Sequence, residues 1–205
     1  MEKVEPVRLW DPVVRLTHWG VAAVVLVNAV LTKGGSVLHV WAGWIGLGLL
    51  LLRLVWGLVG PAEARLAGFL PAPRAALSHL AEVVGGRPRD YRGHNPAGAI
   101  MVWALWATLA VLIGTGLSLT GGRTPVQVAA DQAAVEAGDW SALVADGASA
   151  QDDEGKAMRH TIEEVHETAG NLILIMVLLH IGGVVVESRA LRRNLVAPML
   201  FGGRR

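Results

Sequence analysis

Four stretches of this chain stay apolar for some twenty residues each, and that pattern leaves few folds open. A bilayer core takes about 20 residues of helix at about 1.5 Å per residue. The first stretch runs from about Pro12 to Thr32, with Asp11 placed to cap it and Pro12 suited to the first helical position. The second runs from about Val37 to Gly60 and stops at Pro61. The third, from about Pro96 to Thr120, repeats the start signal with Asn95 and Pro96. The fourth runs from about Ile162 to Val186, with a helical extension expected upstream through GKAMRHTIEEV. Only 17% of the 205 residues are charged, where a soluble domain has about a quarter. The expected fold is therefore an all-α membrane protein, a four-transmembrane-helix bundle filling residues 1–205 as one domain.

Charge sets the expected orientation. Lys3, Arg8 and Arg15 precede or open the first span, and Arg65, Arg74, Arg87, Arg89 and Arg92 lie between the second and third. Arg189, Arg192, Arg193, Arg204 and Arg205 fill the tail, residues 187–205. Between the first two spans there is only Lys33, and residues 121–165 carry nine acidic side chains against Arg123, Lys156 and Arg159. Basic segments stay on the cytoplasmic side, so both termini are expected inside and the acidic loop, 121–161, outside. The opening MEKVEPVRLWDP lacks the pattern of a removable signal peptide, so the first span is expected to remain as an anchor. Residues 71–86 could form a short helix on the inner surface, with Leu77, Leu80, Val83 and Val84 on one side. The long outer segment reads either as a small structured cap or as a flexible docking arm.

Cysteine is absent, which excludes cysteine-held iron–sulfur clusters, covalent haem attachment and dithiol chemistry. Seven histidines remain as metal-binding candidates. An imidazole within a membrane span is costly unless paired or ligated, so its presence asks for a function. Four lie within spans. His18 is about 9 Å inside the inner edge and His180 lies in the inner half, whereas His39 and His166 are near the outer edge. His166 and His180 are fourteen residues apart, almost four turns, so they share one helix face about 21 Å apart. Depth thus pairs His18 with His180 and His39 with His166. Two histidines on different helices at one depth are what a six-coordinate b-type haem requires. Zinc would usually take a third or fourth ligand, often carboxylate or thiolate, and these spans hold none at that depth.

The neighbours of these histidines sharpen the picture. Gly43 follows His39 by one turn and Gly170 follows His166 by one turn, each leaving the gap a flat macrocycle needs against a helix. Close helix packing would account for the same glycines. Arg53 lies fourteen residues after His39 on the same face, and Arg15 one turn before His18. Both are candidates for haem propionate or quinone contacts, and both could equally snorkel to the interface. His79, His94 and His160 read as solvated surface residues, and most tryptophans as an interfacial belt.

The segments WDPVVRLTHWG, LHVWAGWIGLGLLLLRLVWG and HETAGNLILIMVLLHIGG occur in order on the first, second and fourth spans. In these the chain resembles the bacterial b561-type cytochromes, the superfamily shared with hydrogenase-type cytochrome b subunits. The tail ESRALRRNLVAPMLFGGRR is similar to the branch whose members often accompany c-type cytochromes. The resemblance covers all four spans and leaves out most of 121–158, an outer loop longer than compact members carry. It implies two non-covalent haems b, one on His18 and His180 and one on His39 and His166. The expected function is electron transfer across a bacterial inner membrane, between the quinone pool and an outer redox partner such as a c-type cytochrome. The chain is then a redox component rather than a stand-alone catalyst, and nucleic acid is not an expected partner. Two alternatives stay open: a membrane anchor for a hydrogenase- or dehydrogenase-type complex, and a small transporter whose histidines carry protons or metal ions.

Overall fold

The computed structural model describes residues 10–87, 89–91, 93–141 and 153–202, and among these every regular element is helical. Lys3, Arg8, Arg92, Arg204, Arg205 and the loop stretch 142–152 lie outside the described residues. The long helices are α1 (Pro12–Val30), α2 (Val37–Val59), α4 (Pro96–Leu119) and α6 (Asp153–Ala190). Each is long and apolar enough to cross a membrane, and only 17, 28, 17 and 11% of their apolar windows is buried. Side chains such as Leu26, Leu58 and Leu178 are more than 60% exposed. So much bare apolar surface suits hydrocarbon rather than water. The shorter helices are α3 (Pro73–Val84), α5 (Pro125–Glu136) and α7 (Val196–Phe201).

The starts follow the expected local chemistry. Asp11 Oδ1 accepts from the Val13 and Val14 amides at 2.8 and 3.4 Å, and Asn95 Oδ1 accepts from the Gly98 amide at 2.6 Å. Ser36 Oγ accepts from the His39 amide at 3.3 Å, which caps α2. The fourth long helix begins well before the apolar run, at Asp153, because its first turns are held by other means. Asp153 and Glu154 sit in the first turn, where they complement the helix dipole, and Arg159 pairs with Glu163 at 3.1 Å.

Contacts gather the chain into two compact units, each taking part of every long helix. The first comprises Met1–Val21, Leu49–Ala107 and Leu174–Arg205. Within it α1 and α2 approach so closely that a methyl group on Gly20 would lie 2.8 Å from Leu49 Cδ1. Two short 3-10 turns, Ala62–Ala64 and Leu66–Phe69, follow α2 and bury Ala64 and Phe69. The expected surface helix exists as α3; it buries Ala76 and His79 and leaves Leu77, Leu80 and Val84 exposed. Indole N–H groups bind the unit across its elements: Trp56 to Asp11 at 2.9 Å, Trp103 to the Phe69 carbonyl at 3.1 Å, and Trp19 to the Met199 carbonyl at 3.2 Å.

The second unit comprises Ala22–Gly48 and Thr108–Ile173. Here part of the acidic segment is a structured cap. Helix α5 opens with a reciprocal capping box between Thr124 and Gln127. It is fastened by Arg123 to Asp131 at 3.0 Å, by Gln132 to the Gly35 carbonyl at 3.3 Å, and by Trp44 to the Arg123 carbonyl at 3.2 Å.

Candidate haem sites

In the first unit, α1 supplies His18 and α6 supplies His180, and their ring centroids are 6.1 Å apart with planes inclined by 56°. Trp19 stands edge-on to His18 at 5.2 Å. In the second unit, α2 supplies His39 and α6 supplies His166, with centroids 6.0 Å apart and planes inclined by 68°. The structure therefore brings together the same partners that depth along the spans selects. Among the described residues no cluster of three or more His, Asp or Glu side chains could hold a metal ion.

The second pair carries a feature that the sequence does not announce. Thr115 Oγ1 lies 2.7 Å from the Val111 carbonyl, to which it donates, and 2.8 Å from His166 Nδ1. With its hydrogen committed to the backbone, the hydroxyl accepts from Nδ1–H, leaving Nε2 as the basic nitrogen of His166. On the facing side, Thr32 Oγ1 donates to the Asn28 carbonyl at 3.1 Å and lies 3.3 Å from His39 Nδ1. Both imidazoles of this pair are thus braced through the same ring nitrogen. A threonine inside an apolar span, as in LIGTGLSL, is the one signal the sequence offers. A Cβ added to Gly43 or Gly170 would meet no heavy atom within 4 Å.

Around the first pair the environment differs. Arg53 is 5% exposed, which overturns the reading that it snorkels. Its Nη2 donates to the Ala64 carbonyl at 3.1 Å, and its guanidinium lies 5.0 Å from the Trp106 ring centre and 5.9 Å from that of Phe69. Its Nη1 is buried and has no hydrogen-bond partner. Arg15 donates to the carbonyls of Met199, at 3.1 Å, and Leu200, so it fastens the end of α7.

Two histidines expected to be solvated are not. His94 packs against Trp10 and Phe69 with centroids at 5.0 and 4.6 Å. Burial pushes its pKa down to about 4, helped by the positive charge of Arg53 and by the neighbouring His18 and His180. His79 is 2% exposed, with Nε2 3.7 Å from Glu187, which also accepts from Asn95. The reason is shared: loops at the ends of membrane helices fold back onto apolar side chains, and polarity in the local sequence does not show it. His160, by contrast, is exposed and sits 3.6 Å from Glu164.

The model of one protein family, prokaryotic cytochrome b561, matches residues 9–202. The chain belongs to that family. No curated protein sequence and no solved structure matches it. It is accordingly a multi-pass membrane b-type cytochrome, an electron-transfer protein whose family binds haem b.

The residues of this cytochrome fit such a group. An ion held about 2 Å from one nitrogen of each imidazole puts the two ring centres about 6 Å apart. A direct ring-to-ring hydrogen bond would draw them to about 5 Å. The observed 6.1 and 6.0 Å match the first arrangement. Space beside Gly43 and Gly170 and the unpartnered Nη1 of Arg53 suit, respectively, a flat ring and an anionic substituent.

Proposed function

We propose that the chain holds two haems b, one between His18 and His180 and one between His39 and His166, and passes electrons across a bacterial inner membrane. The exchange runs between the quinone pool and a redox partner on the outer face. The two histidine pairs, four helical turns apart along α6, are the observation that carries this reading. The bound iron porphyrins would supply reversible one-electron chemistry. The chain's own residues do the rest. The four imidazoles fix position, Arg53 offers a buried cation for a propionate or a quinone oxygen, and the apolar faces of the helices exclude water.

Positive residues at both ends and between α2 and α4 orient the termini to the cytoplasm, which puts His39 and His166 towards the outside. The acidic outer segment then suits a partner with a basic face, such as a small c-type cytochrome. Electron exchange with a basic cytochrome c is expected to slow as salt rises; a salt-independent rate would remove the acidic segment from the encounter.

Haem stoichiometry tests the central claim. Pyridine extraction of the purified protein should give two protohaems per chain. His18→Ala and His180→Ala should each remove the same haem, and His39→Ala and His166→Ala the other. If His18→Ala and His39→Ala removed the same one, the pairing would be wrong. Large catalytic subunits co-purifying with the chain would favour the anchor reading, and colourless protein made with haem supplied would favour the transporter.

A further inference from the structure

Helix α6 ends in a way that costs backbone energy and gathers positive charge. Arg192 takes φ 50, the left-handed region that glycine usually fills at a helix end, and it is the one such non-glycine among the described residues. The turn is closed by the Arg193 amide to the Ser188 carbonyl at 2.9 Å and the Arg192 amide to the Arg189 carbonyl at 3.1 Å. A glycine would make this turn without strain. The arginine instead helps line an open cleft of 370 Å³ whose walls include Arg189, Arg193 and Ser188 together with Val184 and Val185. Arg193 is bonded twice to Asp90 at 3.1 Å, whereas Arg189 and Arg192 have no ion pair among the described residues. Below the arginines, Ile181, Val185 and Val186 are 40–54% exposed on the apolar helix.

We propose that this cleft binds the phosphodiester headgroup of an anionic phospholipid, with an acyl chain lying along the valines. Two uncompensated guanidiniums at the end of a membrane-spanning helix match an anion whose tail is apolar. Native mass spectrometry of the intact haem-loaded protein tests it, with release into bilayers of phosphatidylcholine with or without phosphatidylglycerol. Wild type should retain phosphatidylglycerol, and Arg189→Gln/Arg192→Gln should retain it about 25-fold less, at roughly fivefold per arginine. Arg192→Gly separates binding from folding: it should bind less lipid and yet melt at a higher temperature in phosphatidylcholine, because the turn relaxes. Arg74→Gln, an exposed arginine on α3, should change nothing. Unchanged retention in the double variant overturns the proposal, and so does displacement of the lipid by millimolar inorganic phosphate, which would mark a site for the free anion.

A separate observation bears on the relative potentials of the two pairs and rests on the two-haem reading above. Among the described residues, both His39 and His166 have a hydroxyl on Nδ1, and neither His18 nor His180 does. A hydrogen bond accepted from Nδ1–H makes the imidazole a stronger donor through its other nitrogen, which favours the oxidised, more positive iron. The buried Arg53, a cation in the first unit, acts in the opposite sense there. We infer that Thr32 and Thr115 are positioning residues holding the His39–His166 centre at the lower potential.

A spectroscopic redox titration of the purified cytochrome decides it. Two one-electron steps are expected, and the higher should vanish in His180→Ala. Thr115→Val should shift the lower step upward by a roughly fivefold change in the ferrous-to-ferric ratio, about 40 mV for a one-electron couple, and Thr115→Ser should restore it. Loss of the lower step in His180→Ala, or an unmoved step in Thr115→Val, overturns the inference while leaving two haems in place. A single step with one haem per chain sinks the two-haem reading and this inference with it.

Discussion

The two histidine pairs are alike in spacing and unlike in surroundings. His39 and His166 each have a threonine hydroxyl at Nδ1, and each hydroxyl also has oxygen acceptors on its own helix turn, Asn28 for Thr32 and the Val111 carbonyl for Thr115. His18 and His180 lie instead in the unit that holds Trp19, His94 and the buried Arg53. Centroid separations of 6.0 and 6.1 Å make the two pairs nearly equal in how closely their helices bring the rings together. What differs is everything a protein uses to tune such a site: hydrogen bonding to the ligand, nearby charge and burial. The comparison teaches that helix register sets where a centre sits and that the flanking loops and polar neighbours set its character.

The harshest way to break the comparison is to fill the space beside one pair only. Gly170→Leu puts a branched side chain one turn from His166, and haem retention at that pair should weaken by about tenfold or more, since overpacking costs about 1–3 kcal/mol. Gly170→Ala should weaken retention far less, because a single methyl group takes up little of the space beside Gly170. Haem content after dilution into apomyoglobin reads both. Equal loss from the two pairs would mean that Gly170 serves general helix packing instead.

Much of the bundle and of both pairs is legible in the order of residues alone. Asp11-Pro12 and Asn95-Pro96 mark the helix starts by their capping chemistry, and apolar length marks the spans. Depth along the spans pairs the histidines because a helix converts residue number into distance at a fixed rise. What is not legible depends on chain that leaves the helix and returns. His94 and the carbonyl of Ala64 reach Arg53 only through turns whose path no periodicity encodes. The burial of His79 escapes for the same cause: its helix is short and of mixed polarity, and only the fold decides that the side bearing His79 is pressed in beside Glu187. Thr115 stands out as a polar residue in an apolar run, but its bond to His166 crosses between helices.

A smaller effect is expected from Arg53→Met. The variant keeps an unbranched apolar stem but removes the guanidinium that faces Phe69 and Trp106 and leaves the buried Ala64 carbonyl without its donor. Stability should fall by about 1–3 kcal/mol, and the higher-potential step should move downward as the cation is lost. Chemical denaturation and redox titration separate the two consequences. A stability loss with both potentials unmoved would make Arg53 a brace for the turn at Ala64 and nothing more.

The smallest effect concerns His94 and pH. Its pKa is pushed from 6.5 down to about 4, by burial first and then by the charge of Arg53 and the nearness of His18 and His180. In the unfolded chain it titrates near the ordinary value, so between pH 6.5 and 4 the unfolded state binds a proton that the folded state resists. The stability held by neutral His94 is therefore complete above pH 6.5 and drains away as pH falls towards 4. The melting temperature of the wild type should decline more steeply across that window than that of His94→Gln, which has no imidazole to protonate. Above about pH 7 the two slopes should coincide. Because Trp10 and Phe69 wall the His94 ring in the first unit, haem lost on acidification should come from the His18–His180 pair first. Parallel slopes for the two proteins, or simultaneous loss from both pairs, would detach His94 from the site it adjoins.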